Sequence, residues 1–143
     1  MIDLKNQIDK ILSENSGLIS FATITKDGKP WVRYVSTIYD PKDTSIRFST
    51  FLPSRKVEQI KNNPEVHLTC GVMDPEKPSN YLQIQGTAIF TQDKAEREAF
   101  WNEHIVGIFK GVDDPNYGVV IVKPYLIELY EIGSFVPKIW KRS

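Results

Sequence analysis

The stretch Ser45–Met73, SIRFSTFLPSRKVEQIKNNPEVHLTCGVM, decides the fold. Its two ends, Ser45–Phe51 and Glu65–Met73, are rich in β-branched and aromatic residues, which predicts strands. Between them, Ser54–Asn62 predicts a short helix that stops at the Asn63-Pro64 pair. A short helix between two strands predicts a sheet with a helix packed across one end.

Strand patterns continue on both sides of this stretch, at Leu18–Thr25, Pro30–Tyr39, Asn80–Thr91, Tyr117–Val122 and Tyr125–Ile132. Asp27-Gly28 predicts a hairpin turn, and Gly86 predicts a bulge or barrel corner. Besides Ser54–Asn62, helices are predicted over Ile2–Leu12, with Gly17 at its exit, and over Asp93–Ile105. The tail 133–143 is predicted to be irregular. The pattern favours one mainly β (α+β) domain over residues 1–143, a six- to seven-stranded antiparallel split β-barrel with peripheral helices.

Composition excludes several classes of function. The 18 basic and 18 acidic side chains cancel, which argues against a nucleic-acid binder. With one cysteine, Cys70, and two histidines, the chain can form neither an internal disulfide nor a cysteine-rich metal site. The sequence shows no apolar run of about 20 residues and no signal-peptide pattern, so we expect a cytoplasmic protein that binds no metal and no membrane.

The start of the Ser54–Asn62 helix carries an unusual charge pattern. Helix N-termini favour acidic residues, yet Arg55 and Lys56 occupy the first turn. A bound phosphate would resolve the conflict, because free backbone N–H groups, the Ser54 hydroxyl and both cations would converge on it. A solvated basic turn with its side chains pointing outward explains the pattern equally well.

Two further positions suggest ligand contacts. Arg33 lies mid-strand among aromatic and β-branched residues. Its planar guanidinium suits a phosphate or a flat ring edge. Alternatively, Arg33 belongs to an edge strand and extends to solvent. Trp140 lies in a tail with Lys138, Lys141 and Arg142. Its indole either covers a partner or a planar ring, or folds back onto its own barrel.

The chain resembles the FMN-binding split-barrel superfamily of the pyridoxamine 5′-phosphate oxidase type, and within it the bacterial general stress protein branch. The resemblance runs through KDGKPWVRYV, FSTFLPSRKVEQIKNNPEVHL, LQIQGTAIF, AEREAFW and DDPNYGVVIVKP, which together span nearly the whole chain. The most specific part is SRKVEQIKNNPEV, where the family binds the FMN phosphate.

The resemblance implies a set of cofactor-binding residues. Arg33 would contact the phosphate and the flavin edge, while Val35 and Ser36 would offer backbone groups to the ring. The ribityl chain and phosphate would lie along a second group of residues: Ser49, Thr50, Ser54, Arg55 and Lys56. The resemblance also implies a homodimer with FMN at the subunit interface, which Gln83, Gln85 or Trp140 of the second chain would reach.

The chain departs from the family at its C-terminus. True pyridoxamine-phosphate oxidases end in an Arg-Leu-x-Pro type of motif, whereas this chain ends in SFVPKIWKRS. The resemblance therefore implies the cofactor site, and a stress-related oxidoreductase of unknown small-molecule substrate, rather than the vitamin B6 oxidase activity. A flavin-binding or sensing protein without turnover remains an alternative. A haem protein on the same barrel would need His67 or His104 as axial ligand, and neither lies in a haem motif.

Overall fold

The structure, a computed structural model, describes residues 3–15, 18–72 and 74–143. The predicted helix exit at Gly17 and the strand end at Met73 lie outside the described residues. The elements in chain order are α1 (Leu4–Glu14), β1 (Ile19–Ile24), β2 (Pro30–Val35), β3 (Ile38–Asp40), β4 (Ser45–Phe51), α2 (Arg55–Asn62), β5 (Glu65–Cys70), β6 (Tyr81–Thr91), α3 (Lys94–Phe100), β7 (Tyr117–Tyr130) and β8 (Lys138–Lys141).

The strands form one curled antiparallel sheet. Its order is β2-β1-β5-β6-β7-β4-β3, and β8 adds to β7. The two edge strands, β2 and β3, are consecutive in the chain and are joined by Ser36 and Thr37 alone. Because so short a link spans at most about 11 Å, the sheet has to curl until its two edges meet. This geometry is a split barrel and confirms the predicted fold class.

Side chains alternate between the inside of the barrel and its outer surface. Inward-facing residues such as Phe21, Phe48 and Leu82 form the main core. A second apolar cluster on the outer side of β4 and β7 contains Phe100 of α3 and Tyr117. Helix α2 covers one end of the barrel with Val57 and Ile60, which are both buried, as the sequence predicts.

Two local predictions are confirmed by backbone geometry. Gly28 adopts a φ of +80° and closes the β1–β2 hairpin by donating its N–H to the carbonyl of Thr25. The β6–β7 register shifts between Gln85 and Gly86, which is the predicted bulge. A Cβ on Gly86 would lie 2.8 Å from the carbonyl oxygen of Lys123, so only glycine fits this close approach.

Four element boundaries differ from the prediction. The single strand Pro30–Tyr39 is two strands that pair at opposite edges of the sheet, β2 with β1 and β3 with β4. The helix over Asp93–Ile105 ends at Phe100, where the Asn102 side chain donates to the Phe100 carbonyl and competes with the helical bond.

Strand β7 and the tail account for the other two differences. β7 continues through Pro124, because the bulge at Gly86 places the proline opposite the irregular part of the ladder. The tail is not irregular throughout, since Lys138–Lys141 pairs with Leu126–Leu129 of β7. No helix in the described part of the chain is long and apolar enough to cross a membrane.

Candidate functional site

The first turn of α2 begins with an unused capping side chain. Ser54 occupies the N-cap position in extended conformation (φ −145°, ψ 137°), and its hydroxyl makes no capping hydrogen bond to the helix. The backbone N–H groups of the first turn therefore remain available to a ligand. Glu58 also belongs to this turn, so the charge conflict that Arg55 and Lys56 create is smaller than the sequence argument assumes.

Lys56 points from this turn toward the end of β4. Its ammonium donates to the Thr50 hydroxyl at 3.0 Å and to the Ser54 hydroxyl at 3.4 Å. Partial burial, followed by the nearby charge of Arg33, lowers the pKa of Lys56. Burial disfavours the charged ammonium, and the positive charge of Arg33 disfavours it further.

Arg33 faces inward from β2, directly opposite Phe21 of β1. Its Nη1 donates to the hydroxyl of Thr23 at 2.7 Å and to the carbonyl of Trp31 at 3.1 Å. Its Nη2 donates to Oε1 of Gln59 at 2.9 Å. Burial and then the charge of Arg55 lower the pKa of Arg33. Neutral groups therefore hold this guanidinium in place while leaving its charge uncompensated.

Arg55 completes a cluster of three cations. Its guanidinium lies 5.0 Å from the ring centre of Trp31 on β2, as a cation–π pair. None of the ion pairs among residues 3–15, 18–72 and 74–143 includes Arg33, Arg55 or Lys56. A cluster of like charges without acidic partners is destabilising on its own and fits an anionic ligand.

Two cavities meet beside the cation cluster at Pro53 and Ser54. The first, of about 430 Å³, is lined by Ser49, Thr50, Phe51, Pro53, Ser54, Lys56, Ile108 and Phe109. The second, of about 500 Å³, is lined by Thr25, Lys26, Pro53, Ser54, Arg55, Glu58 and Gln59. We call these the β4 cavity and the hairpin cavity. The β4 cavity thus brings together four of the residues that the resemblance assigns to the ribityl chain and phosphate.

Val35 and Ser36 lie at the other end of β2 from Trp31. Val35 ends the strand and is buried, while Ser36 is exposed in the link to β3. Within the described chain β2 pairs with β1 alone. Because β2 is an edge strand, alternate backbone groups face away from β1 and are open to a planar ring.

Gln83, Gln85 and Trp140 are not part of this cluster within one chain. Gln83 lies opposite Thr69, and Gln85 opposite His67, on the outward face of β6. β6 is separated from β2 by β1 and β5, so these amides lie roughly 14 Å across the sheet and on the face opposite to Arg33. Trp140 lies on β8 and packs against its own barrel core, which is one of the two predicted alternatives.

Thr23 and Gln59, which both hold Arg33, were missed by the sequence analysis. Thr23 is 1% exposed and its hydroxyl donates to Oε1 of Gln59. A signal for Thr23 exists, because strand alternation places it inward with Ile19 and Phe21, where a polar side chain needs a partner. Gln59 has no such signal in the sequence, since helical positions near the cavity become apparent only after folding.

The histidines do not form a second site. His67 is half-buried on the outward face of β5, and burial lowers its pKa below the ordinary value. His104 is exposed and lies beyond the end of α3. The part of the chain that the structure describes contains no group of His, Cys, Asp and Glu able to hold a metal ion.

The chain is similar to known proteins over nearly its whole length. Residues 4–130 match the sequence profile described as Pyridoxamine 5′-phosphate oxidase. General stress protein 26 of Bacillus subtilis is 29% identical over 135 residues, covering 94% of both chains. The crystal structure of General Stress Protein 26 from Bacillus anthracis has a TM-score of 0.81 at 23% identity, covering 99% of this chain and 100% of that one. A related protein from Clostridium acetobutylicum has a TM-score of 0.80 at 22% identity, covering 98% and 96%.

The two crystal structures, from Bacillus anthracis and Clostridium acetobutylicum, establish that this chain shares their fold. The profile match extends from α1 to the end of β7 and includes every residue of the cation cluster. The chain therefore belongs to the pyridoxamine 5′-phosphate oxidase family.

Proposed function

We propose that this protein binds FMN and acts in the cytoplasm as a homodimeric, FMN-dependent oxidoreductase on a small molecule. The observation that carries the proposal is the cluster of Arg33, Arg55 and Lys56, which lies at an uncapped helix start and has no acidic partner among the described residues. A phosphate carries up to two negative charges and would accept hydrogen bonds from all three side chains and from the helix N–H groups.

The position of Arg33 in the middle of β2 gives the ligand a direction. With the phosphate at Arg33, the ribityl chain would follow Ser49 and Thr50, and the ring would lie along Val35 and Ser36. This direction is supported by the open edge of β2 and by the β4 cavity, which Ser49 and Thr50 line. The bound flavin would supply the electron-pair transfer, and the chain's own residues would hold and orient it.

The homodimer is supported by an apolar surface on the outward face of β1 and β2. Val32 is 64% exposed and Tyr34 is 74% exposed, and Leu18 beside them is also exposed. Contiguous apolar surface of this kind marks association sites. A second copy seated there would bring its own Gln83 or Gln85 toward the flavin.

The absorption spectrum of the protein purified without added cofactor tests the proposal. We expect flavin absorption bands and on the order of one FMN released per chain. We also expect bleaching by a reduced nicotinamide dinucleotide, followed by recovery with a small electron acceptor. Bound flavin that the nicotinamide does not bleach would indicate a binding or sensing protein without turnover. A Soret band, or no affinity for FMN, would overturn the proposal.

A further inference from the structure

The loop between β7 and β8 holds a phenylalanine side chain out in water. Phe135 is 98% exposed and Val136 is 77% exposed, although hydrogen bonds fix the loop around them. The Ser134 N–H donates to the Glu131 carbonyl at 3.1 Å, and the Ser134 hydroxyl donates to the Val136 carbonyl at 3.2 Å. An ion pair of 2.9 Å between Lys138 and Glu131 closes the base of the loop. An apolar tip on a preorganised loop is typical of a side chain that anchors a contact with another molecule.

A cavity of about 310 Å³ opens on the outward face of β1, β2 and β5. Its walls include Leu18, Tyr34 and Val72, each of which is more than half exposed. Ser20 and Thr69 also line the cavity, and their hydroxyl groups hydrogen-bond to each other. An apolar group that enters the cavity would therefore leave these two hydroxyls paired. We call this space the Tyr34 cavity.

The Tyr34 cavity has room for an aromatic side chain, since an apolar cavity of about 150 Å³ already admits benzene. The Phe135 ring of the same chain does not fill the cavity, because a side chain that is 98% exposed touches almost nothing in its own protomer. A Phe135 ring in this cavity therefore has to belong to another copy of the chain.

Phe135 and the Tyr34 cavity lie on opposite sides of a stacked pair of tyrosines. Tyr81 of β6 and Tyr130 of β7 are paired in the sheet, and their ring centres lie 5.1 Å apart. Tyr81 lines the cavity, which extends from there across β5 and β1 to β2. Phe135 follows Tyr130 and precedes β8, which pairs with the other edge of β7. In a two-fold dimer every contact occurs twice with the protomers exchanged, so a projection and a cavity on either side of the axis can fill each other.

We propose that Phe135 of each protomer inserts into the Tyr34 cavity of a second copy of this chain, with the two-fold axis close to the Tyr81–Tyr130 pair. This inference rests on the proposed homodimer and identifies the segment by which one copy holds the other. Leu18 and Tyr34 belong to the apolar surface proposed for that homodimer, so the cavity is continuous with it. The Phe135 ring is then the main anchor of the interface.

Truncation of the Phe135 ring tests the contact. Phe135→Ala should raise the Kd of the dimer at least about thirtyfold, which is the loss expected when a hot-spot aromatic side chain is removed. The variant should keep the circular dichroism spectrum of the unmodified protein, because the ring contacts water in a single chain. Val106→Ala is the matched control, since Val106 is 61% exposed and lies outside the loop and the cavity. Sedimentation equilibrium measures both Kd values, and the control should stay within about twofold of the unmodified protein.

Cysteine cross-linking gives an independent measurement of the same contact. A mixture of Phe135→Cys and Val72→Cys proteins should form a disulfide-linked heterodimer under mild oxidation, because Val72 lines the cavity. A mixture of Phe135→Cys and Val106→Cys proteins should not. The native Cys70 thiol is buried, which raises its pKa to about 12 and keeps it unreactive.

The possible results separate the docking of Phe135 from the rest of the proposed function. An unchanged dimer Kd in Phe135→Ala, or no disulfide in the first mixture, would overturn the docking and leave the homodimer standing. A disulfide formed by the Phe135→Cys protein alone would also overturn it, because the two loops would then meet at the axis. A monomeric unmodified protein would overturn both the docking and the homodimer. Titration of the unmodified protein with FMN reports on flavin binding separately.

Discussion

Arg33 and Gln59 are joined by a hydrogen bond of 2.9 Å in which the guanidinium Nη2 donates to the amide oxygen Oε1. The same oxygen accepts from the Thr23 hydroxyl. An uncharged amide thus orients the arginine, at a position where a carboxylate would neutralise it. Orientation without neutralisation leaves the charge of Arg33 for an anionic ligand.

Gln59→Glu should reverse this arrangement. The new carboxylate would pair with Arg33 and repel a phosphate, so we expect FMN affinity to fall about tenfold to a hundredfold. Gln59→Met is the matched comparison, because it removes the hydrogen bond without adding charge and should lose less affinity. The Kd of each variant for FMN is the measurement. A larger loss for the methionine variant would mean that Arg33 needs orientation more than free charge.

Lys56→Ala should separate ligand binding from stability. Lys56 is held in a positive, partly buried environment that lowers its pKa, so its removal should leave the melting temperature of the apo-protein unchanged or slightly raised. FMN binding should weaken about tenfold to a hundredfold, because one charge-assisted hydrogen bond to the phosphate is lost. Lys61→Ala, in the last turn of the same helix, should not affect FMN affinity.

For this pair of variants, melting curves of the apo-protein and FMN titrations are the two readouts. A destabilised Lys56→Ala protein with unchanged FMN affinity would make Lys56 a structural residue and would place the phosphate elsewhere.

Salt should weaken the binding of FMN more than that of riboflavin. Arg33, Arg55 and Lys56 are partly or fully exposed to solvent, so salt would screen their attraction to a phosphate, with a screening length of about 10 Å at 0.1 M. Riboflavin lacks the phosphate and makes only the ring and ribityl contacts. The Kd of each ligand is measured across a salt series. Parallel salt dependence of the two ligands would argue against phosphate recognition by this cluster.

Replacing Val32 and Tyr34 together by glutamate should dissociate the proposed homodimer. Both side chains project from the outward face of β2, where added charge would oppose burial against a second copy. The mass measured by light scattering should fall from twice the chain mass to the monomer mass of 16.4 kDa. Val106→Glu, at an exposed apolar residue outside this face, is the control. An unmodified protein that is monomeric with flavin bound would contradict the homodimer.

His67 should make the protein less stable in mild acid. Burial lowers its folded-state pKa below the ordinary 6.5, an effect that the nearby Glu128 carboxylate opposes. As the pH falls through 6.5, His67 of the unfolded chain takes up a proton before His67 of the folded protein does. The free energy of unfolding therefore decreases until the pH has passed the folded-state pKa, and below that pH it stays constant.

Denaturant unfolding from about pH 8 to about pH 5 checks the role of His67. His67→Gln lacks the titration, so its stability should fall less over this interval than that of the unmodified protein. Identical pH profiles for the two proteins would assign the acid sensitivity to other groups.

The sequence by itself determined the elements whose cause is local. Glycine's freedom at positive φ fixed the turn at Gly28, and the alternation of apolar residues gave the inward faces of the strands. The Ser54–Asn62 helix and its cationic first turn were also readable, because a helix start depends on neighbouring residues. The family motif SRKVEQIKNNPEV covers this helix and its first turn.

Only the tertiary structure decided the arrangements that join distant parts of the chain. Pro30–Tyr39 divides because each half pairs with a different edge of the curled sheet, and β8 forms because β7 offers it a partner. Thr23 and Gln59 lie 36 residues apart, yet both contact Arg33. Contacts of this range depend on how the whole sheet closes, and no local pattern of side chains encodes that closure.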